Sequence, residues 1–335
     1  MYILKQIPQD FIVREISSVK LEKSGSYTYF LLRKKNRNTL DVIKQLAHLL
    51  HISEKQIGFA GGKDNHAITQ QVCSIQRVGK EKLERLSIPD VEISIIGYGN
   101  TPISLGDLDG NQFEIVVRNL TKEKIDVVHY FPNYFDEQRF STNNVKIGKA
   151  LLRKNFKEAA ILLDNPLCQT HLKDYPNDAV GALKKLPIRL LRLYVNSYQS
   201  YIWNETLALY LRKSGKIVQE LSYSCGTLVF TKEIYPNLEI PIIGFNSPTA
   251  PNAEINNIIT SLTKQENITS SDFIIKPIPE LTLEGEMRKG FAEIQDVKIN
   301  PFEHDELNAG KKKVLISFTL GKGSYATMVI RTIFK

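Results

Sequence analysis

Along the chain, apolar residues alternate with polar ones, then recur every three to four positions, then alternate again. Residues 10–16 and 26–32 are rich in β-branched and aromatic side chains; they predict two strands about a turn at Ser24-Gly25-Ser26. Leu40, Ile43, Leu46, Ala47 and Leu50 follow at helical spacing, which predicts a helix capped by Thr39. Short apolar runs at 57–60, 72–78 and 92–96 predict further strands. Phe113, Ile115 and Val117 alternate with Gln112, Glu114 and Arg118, so 111–119 reads as a half-buried strand with Arg118 on its polar side. From Ile147 the period lengthens, and 147–163 and 188–212 predict long helices. Residues 246–252, with two prolines, predict a loop. Alternation returns over 291–299 and 313–320, before a turn at 321–324 and a short helix over 326–334.

An α-rich middle between two β-rich ends predicts an α+β chain with an insertion. The C-terminal strands are expected to pair with the N-terminal sheet. This gives a discontinuous first domain, 1–147 with 286–335, and a helix-rich second domain, 148–285. The chain's 335 residues suit two domains.

Composition narrows the class. Lys plus Arg number 44 against 36 for Asp plus Glu, a net charge of +8 that favours an acidic partner such as nucleic acid. Arg33-Lys34-Lys35-Asn36-Arg37 is the densest basic stretch; it reads equally as a solvated loop or as phosphate contacts. Cys73, Cys168 and Cys225 are scattered, so neither a disulfide framework nor a zinc site is indicated. Lys5, Gln9 and Asp10 interrupt any apolar leader, and no run of about 18 apolar residues would span a membrane. A cytoplasmic protein is expected, without membrane contact.

The most informative chemistry lies at Ile57 to Gln71. An apolar run ends in Gly61-Gly62, and Lys63-Asp64-Asn65 occupy the bend. A carboxylate on such a turn can be a reactive group or a turn residue bonding its own backbone, and local features favour the turn residue.

The wider sequence shifts that balance. Phe59-Ala60-Gly61-Gly62-Lys63-Asp64-Asn65-His66-Ala67-Ile68-Thr69-Gln70-Gln71 resembles the active-site motif of the TruD family of RNA pseudouridine synthases, F-A-G-x-K-D-x-x-A-V-T-x-Q. Lys5-x-x-Pro8-x-Asp10-Phe11, Gly110-Asn111-Gln112-Phe113, Pro132-Asn133-Tyr134-Phe135 with Gln138-Arg139-Phe140, and Gly323-Ser324-Tyr325-Ala326-Thr327 with Arg331 resemble further family segments in the family's order.

The resemblance implies a pseudouridine-synthase-type mixed β-sheet catalytic domain carrying an inserted helix-rich TRUD domain. It implies isomerisation of a uridine in tRNA, with position 13 as the expected target, no metal and no organic cofactor. Asp64 matches the essential aspartate, either attacking C1′ of the ribose or taking a ribose proton. Lys5 matches the cation that keeps this carboxylate charged in a water-poor pocket. Phe11, Phe113 and Tyr325 match positions that line the uracil site, and Asn111 can both donate to and accept from the uracil edge. Without the resemblance, Phe11 and Phe113 read as core. Arg139 and Arg331 are expected to contact RNA or support the site, and a monomer is expected. Three residues depart from the family: Ser141 replaces a glycine, Tyr325 a phenylalanine, and Asn65 a residue that is often basic. The rival reading is a non-catalytic RNA-binding or RNA-folding protein on the same fold. A metal-dependent hydrolase using Asp64 and His66 lacks ligand spacing.

Overall fold

The computed structural model describes residues 2–121 and 123–334. Its backbone divides into two compact units, Met1–His129 with Glu293–Ala326, and Tyr130–Ala292 with Thr327–Lys335.

The first unit is built on one mixed sheet with nine strands among the described residues. They are β1 (Phe11–Ile16), β2 (Tyr27–Lys35), β3 (Ile57–Phe59), β4 (Ile68–Gln76), β5 (Val91–Gly99), β6 (Gly110–Leu120), β7 (Gln295–Ile299), β8 (Glu303–His304) and β9 (Lys312–Gly321). Their order is β7-β9-β6-β1-β4-β2-β5, with β3 on β4 and β8 on β9. Only β1 and β4 are parallel among these pairs. The C-terminal strands pair with the N-terminal sheet, as the alternation of 313–320 predicts.

Register decides which side chains share a face, because alternate residues point to opposite sides. Phe113 opposes Val13, Asn111 opposes Glu15, and Lys34 opposes Thr69. On the same face, Phe30, Leu32 and Cys73 bury against Val42, Ile43, Leu46 and Ala47 of helix α1 (Thr39–Leu50). The other face packs Tyr29, Val72, Ala60 and Ile103. The cap of α1 is Asn38, not Thr39: the Asn38 side chain accepts the Leu40 N–H. This frees the Thr39 hydroxyl for tertiary contacts.

Arg118 is also buried, contrary to its expected place on a polar face. Its guanidinium donates to Asp10 at 2.9 Å, Asp305 at 2.8 Å and Glu306 at 3.0 Å. Ile3 and Arg118 exchange backbone hydrogen bonds of 3.0 Å. The clamp thus ties the N-terminal segment and the 305–306 turn to β6. Burial opposes the Asp305 charge, but the Asn119 N–H, the Asn308 amide and Arg118 bring its carboxyl down to about 2.

The second unit centres on α4 (Ile188–Ser214), preceded by α2 (Asn144–Leu152) and α3 (Phe156–Leu163). The single helix expected over 147–163 is two. Lys154 adopts φ 59°, and Asn155 caps the second helix by accepting the Glu158 N–H. Gly148 lets α2 approach α4, since a Cβ there would collide with the Tyr194 carbonyl oxygen. Tyr194 and Tyr198 bury in this core, and Tyr201 packs against it. The stretch is less purely helical than expected, with antiparallel pairs Ile217–Tyr223/Gly226–Thr231 and Glu239–Ile242/Glu286–Lys289. No helix among the described residues is long and apolar enough to cross a membrane.

Candidate active site

The loop between β3 and β4 carries Asp64, and polar contacts along its length hold it. Gln71 donates from its side-chain nitrogen to the Gly61 carbonyl at 3.0 Å and accepts from the Thr39 hydroxyl at 3.2 Å. The same hydroxyl accepts the Lys63 N–H at 3.1 Å. The Gly106 N–H reaches the Ala60 carbonyl at 2.8 Å. Gly61 and Gly62 do not take left-handed backbone, and a Cβ at either would meet nothing within 4 Å. The bend therefore does not demand glycine on steric grounds.

Lys5 supplies the cation beside Asp64. Its Nζ lies 2.7 Å from Asp64 Oδ1 and 4.1 Å from the centre of the Phe11 ring. Lys5 itself has φ 54°, a left-handed conformation that costs a non-glycine residue about 1–2 kcal/mol. Such strain persists where its surroundings over-determine it. Here those surroundings are the Arg118 clamp on one side and the Asp64 pair on the other.

Beneath this pair the aromatic faces continue. Phe11 meets Phe113 edge-on with centroids 6.1 Å apart, and Phe113 meets Phe318 at 5.5 Å. Phe11 and Phe113 are both buried. Asn111 lies two residues before Phe113 on the same face, and its side-chain oxygen is buried without a hydrogen-bond partner among the described residues. A buried acceptor left unmatched is costly and is ready for an N–H donor. Tyr325 is half-buried just before helix α5 (Ala326–Ile333), after β9, whose Gly321 opposes Gly110.

Two further lysines complete the surroundings. Lys63 turns away from Asp64, and its Nζ pairs at 2.5 Å with buried Glu15, which also accepts the Val72 N–H. Lys34 donates to the Asp64 carbonyl at 2.7 Å and, at 3.4 Å, to that of Lys63. Its side chain is only 1% exposed. Burial lowers the Lys34 amine from 10.5 to about 8; Asp64 partly opposes this and Lys63 adds to it. The basic run is thus not a uniform solvated loop, because its side chains leave the strand in different directions. Arg33 points out and pairs with Glu92, and Arg37 donates to the Pro89 carbonyl and to Gln45, while Lys34 points in. A carboxylate, an adjacent ammonium, an aromatic floor and an open amide acceptor can together bind a planar heterocycle and perform nucleophilic or base chemistry on its sugar.

The model of the tRNA pseudouridine synthase D family, TruD, matches residues 2–169 and 167–333. The chain belongs to the TruD family. A "Probable tRNA pseudouridine synthase D" of Nanoarchaeum equitans is 31% identical, with 99% of this chain and 98% of that protein covered. The tRNA pseudouridine synthase D of Aquifex aeolicus is 30% identical, with 99% and 97% covered. The fold resembles the crystal structure of a TruD protein from Methanosarcina mazei, with a TM-score of 0.68, 27% identity, and 98% of this chain and 92% of that chain covered.

The remaining TruD-like segments lie in the second unit. The Asn204 side chain accepts the Phe135 N–H and donates to the Phe135 carbonyl, both at 2.9 Å, and Trp203 meets the Phe135 ring at 5.5 Å. The Tyr134 hydroxyl donates to the Val229 carbonyl and accepts its N–H, each at 3.1 Å. Arg139 donates to Ser200 at 3.2 Å, and Arg331 pairs with Asp136 at 3.3 Å. Both arginines therefore hold protein groups. Ser141 has φ 46°, so it adopts the left-handed bend that suits the family's glycine.

Proposed function

We propose that this chain isomerises a uridine of tRNA, at position 13, to pseudouridine, with Asp64 as the catalytic carboxylate. The observation that carries the reading is the Lys5 ammonium held between the Asp64 carboxylate and the Phe11 ring. A cation there favours the charged carboxylate once a base covers the site and excludes water. The C1′–N1 bond breaks, the uracil turns, and a C1′–C5 bond forms; N1 takes up a proton and C5 releases one. Asp64 serves either as the nucleophile at C1′ or as the base that removes a ribose proton. Phe11, Phe113 and Tyr325 supply aromatic surface for the flipped base, and the open oxygen of Asn111 suits the uracil N3–H. Arg139 and Arg331 support the fold around an RNA-binding surface. The β-rich unit is the catalytic module on this reading, and the expected insertion, 148–285, falls inside the second unit.

Asp64→Asn tests the proposal, because it keeps the shape and removes the charge. Pseudouridine formation in tRNA, mapped at nucleotide resolution, is expected to fall at least a thousandfold, on the scale of losing a reactive group. Retained binding of tRNA by this variant completes the expectation. Undiminished modification would sink the role of Asp64. Wild-type protein that binds tRNA and modifies none, even in excess, would favour the non-catalytic RNA-binding alternative.

A further inference from the structure

We propose that Lys34 is a positioning residue for the Asp64 carboxylate, gripping the reactive loop from beneath by its backbone and lending it a second positive charge. The inference rests on Asp64 being the catalytic carboxylate.

Lys34 lies at the inner end of β2, on the face covered by α1, opposite Thr69 of β4 and Val91 of β5. Its ammonium reaches the carbonyls of Lys63 and Asp64, the two residues at the tip of the loop. An ammonium is costly to bury unless a compensating charge or full hydrogen bonding accompanies it. Among the described residues no carboxylate oxygen pairs with it. A leucine or methionine in the same space would avoid the burial cost, so stability alone gives no reason for a lysine. The gain lies in what the charge does to its surroundings.

The charged groups around it divide cleanly. From the loop, Asp64 and Lys63 bear on it, and Lys63 is already neutralised by Glu15 of β1. From β2 and β5, Arg33 is neutralised by Glu92. Asp90 approaches the strand end through its carbonyl, which accepts the Lys35 N–H. Lys5 stands at the Asp64 carboxylate itself. The field of Lys34 therefore falls on Asp64, the carboxylate that Lys5 pairs with at 2.7 Å. Two cations, one at the carboxylate and one under the backbone, hold its charge and direction when a nucleotide displaces water. Burial also lowers the Lys34 amine into the working pH range, so the second charge is lost as pH rises through about 8.

Steady-state kinetics on a tRNA transcript test this with Lys34→Met and Lys34→Arg. In Lys34→Met, kcat is expected to fall roughly ten- to a hundredfold, the usual cost of a small misplacement of a reactive group, while the KM for tRNA stays within about threefold. Wild-type kcat is expected to decline above about pH 8. In Lys34→Arg that alkaline limb moves up by more than one pH unit, because a guanidinium stays charged. The shape of the profile decides, whatever its height, so the arginine variant suffices if Lys34→Met does not fold. Wild-type kcat in Lys34→Met, or the same alkaline limb in wild type and Lys34→Arg, overturns the proposal. Inactive Asp64→Asn beside fully active Lys34→Met refutes this inference alone; active Asp64→Asn refutes the reading beneath it.

Discussion

Arg118 and Lys34 are both buried in the mixed sheet, but Arg118 is ringed by Asp10, Asp305 and Glu306, whereas Lys34 rests on two backbone carbonyls. The surroundings move their protonation in opposite directions. Hydrogen bonds to Asp10, ahead of the burial that opposes them, push the Arg118 guanidinium higher; burial pulls the Lys34 amine down to about 8. Arg118 joins three distant pieces of chain: the N-terminal segment, β6 and the 305–306 turn. Its charge is matched locally and serves cohesion. Lys34 joins one loop to one strand, and its charge is left under-matched beside the carboxylate proposed to react. In one sheet, a fully matched buried cation marks architecture and an under-matched one marks chemistry.

The largest effect is expected at the architectural site. Arg118→Met leaves Asp10 and Asp305 buried without their partner and should destabilise the protein by about 3–5 kcal/mol, measured by urea unfolding. A loss below about 1 kcal/mol would erase the contrast with Lys34.

The next effect is a slope. The Lys34 amine is lowered in the folded state, so the unfolded chain binds more protons between about pH 8 and 10.5. Wild-type stability should therefore rise relative to Lys34→Met across that window, by up to about 3 kcal/mol. Parallel stability curves for the two proteins would mean that Lys34 titrates as an ordinary lysine.

The smallest effect has the same sign in pH but lies in acid. The Asp305 carboxyl lies below its ordinary value, so its contribution is present above about pH 4 and lost as pH falls through about 2. Asp305→Asn should cost roughly 1–3 kcal/mol at neutral pH, on the scale of hydrogen bonds to a charged group. The gap to wild type should close in acid. A gap that persists at pH 2 would assign the cost to packing instead.

Much of the sheet was legible because its alternation is regular: Phe113, Ile115 and Val117 lie where period two puts them. Lys5 and Asp64 are 59 residues apart and meet only through the fold; it was the family resemblance, not local pattern, that joined them. Lys34 was missed because five polar residues in a row look like a loop. Yet Thr28, Phe30, Leu32 and Lys34 follow one alternation, and carrying it two residues further would have buried the lysine. Arg118 fits its polar alternation and still is buried, because the N-terminal segment and the 305–306 turn cover that end of the strand. No local pattern reports such a cover. The break between α2 and α3 did carry a signal, Asn155 three residues before Glu158, which the apolar periodicity masked.

β6, the strand that carries Asn111 and Phe113, ends at Leu120, and its second neighbour, β9, begins only at Lys312. On a ribosome adding about 5–20 residues per second, that edge of β6 waits roughly 10–40 s for its partner. The 305–306 turn that completes the Arg118 clamp arrives equally late. A nascent chain can thus form the Asp64 loop early and still lack the strand and clamp that steady Phe113 and the Lys5 segment. Competence for catalysis thus waits until synthesis has passed β9, and a chain interrupted before it would expose a sticky strand edge rather than a half-active enzyme.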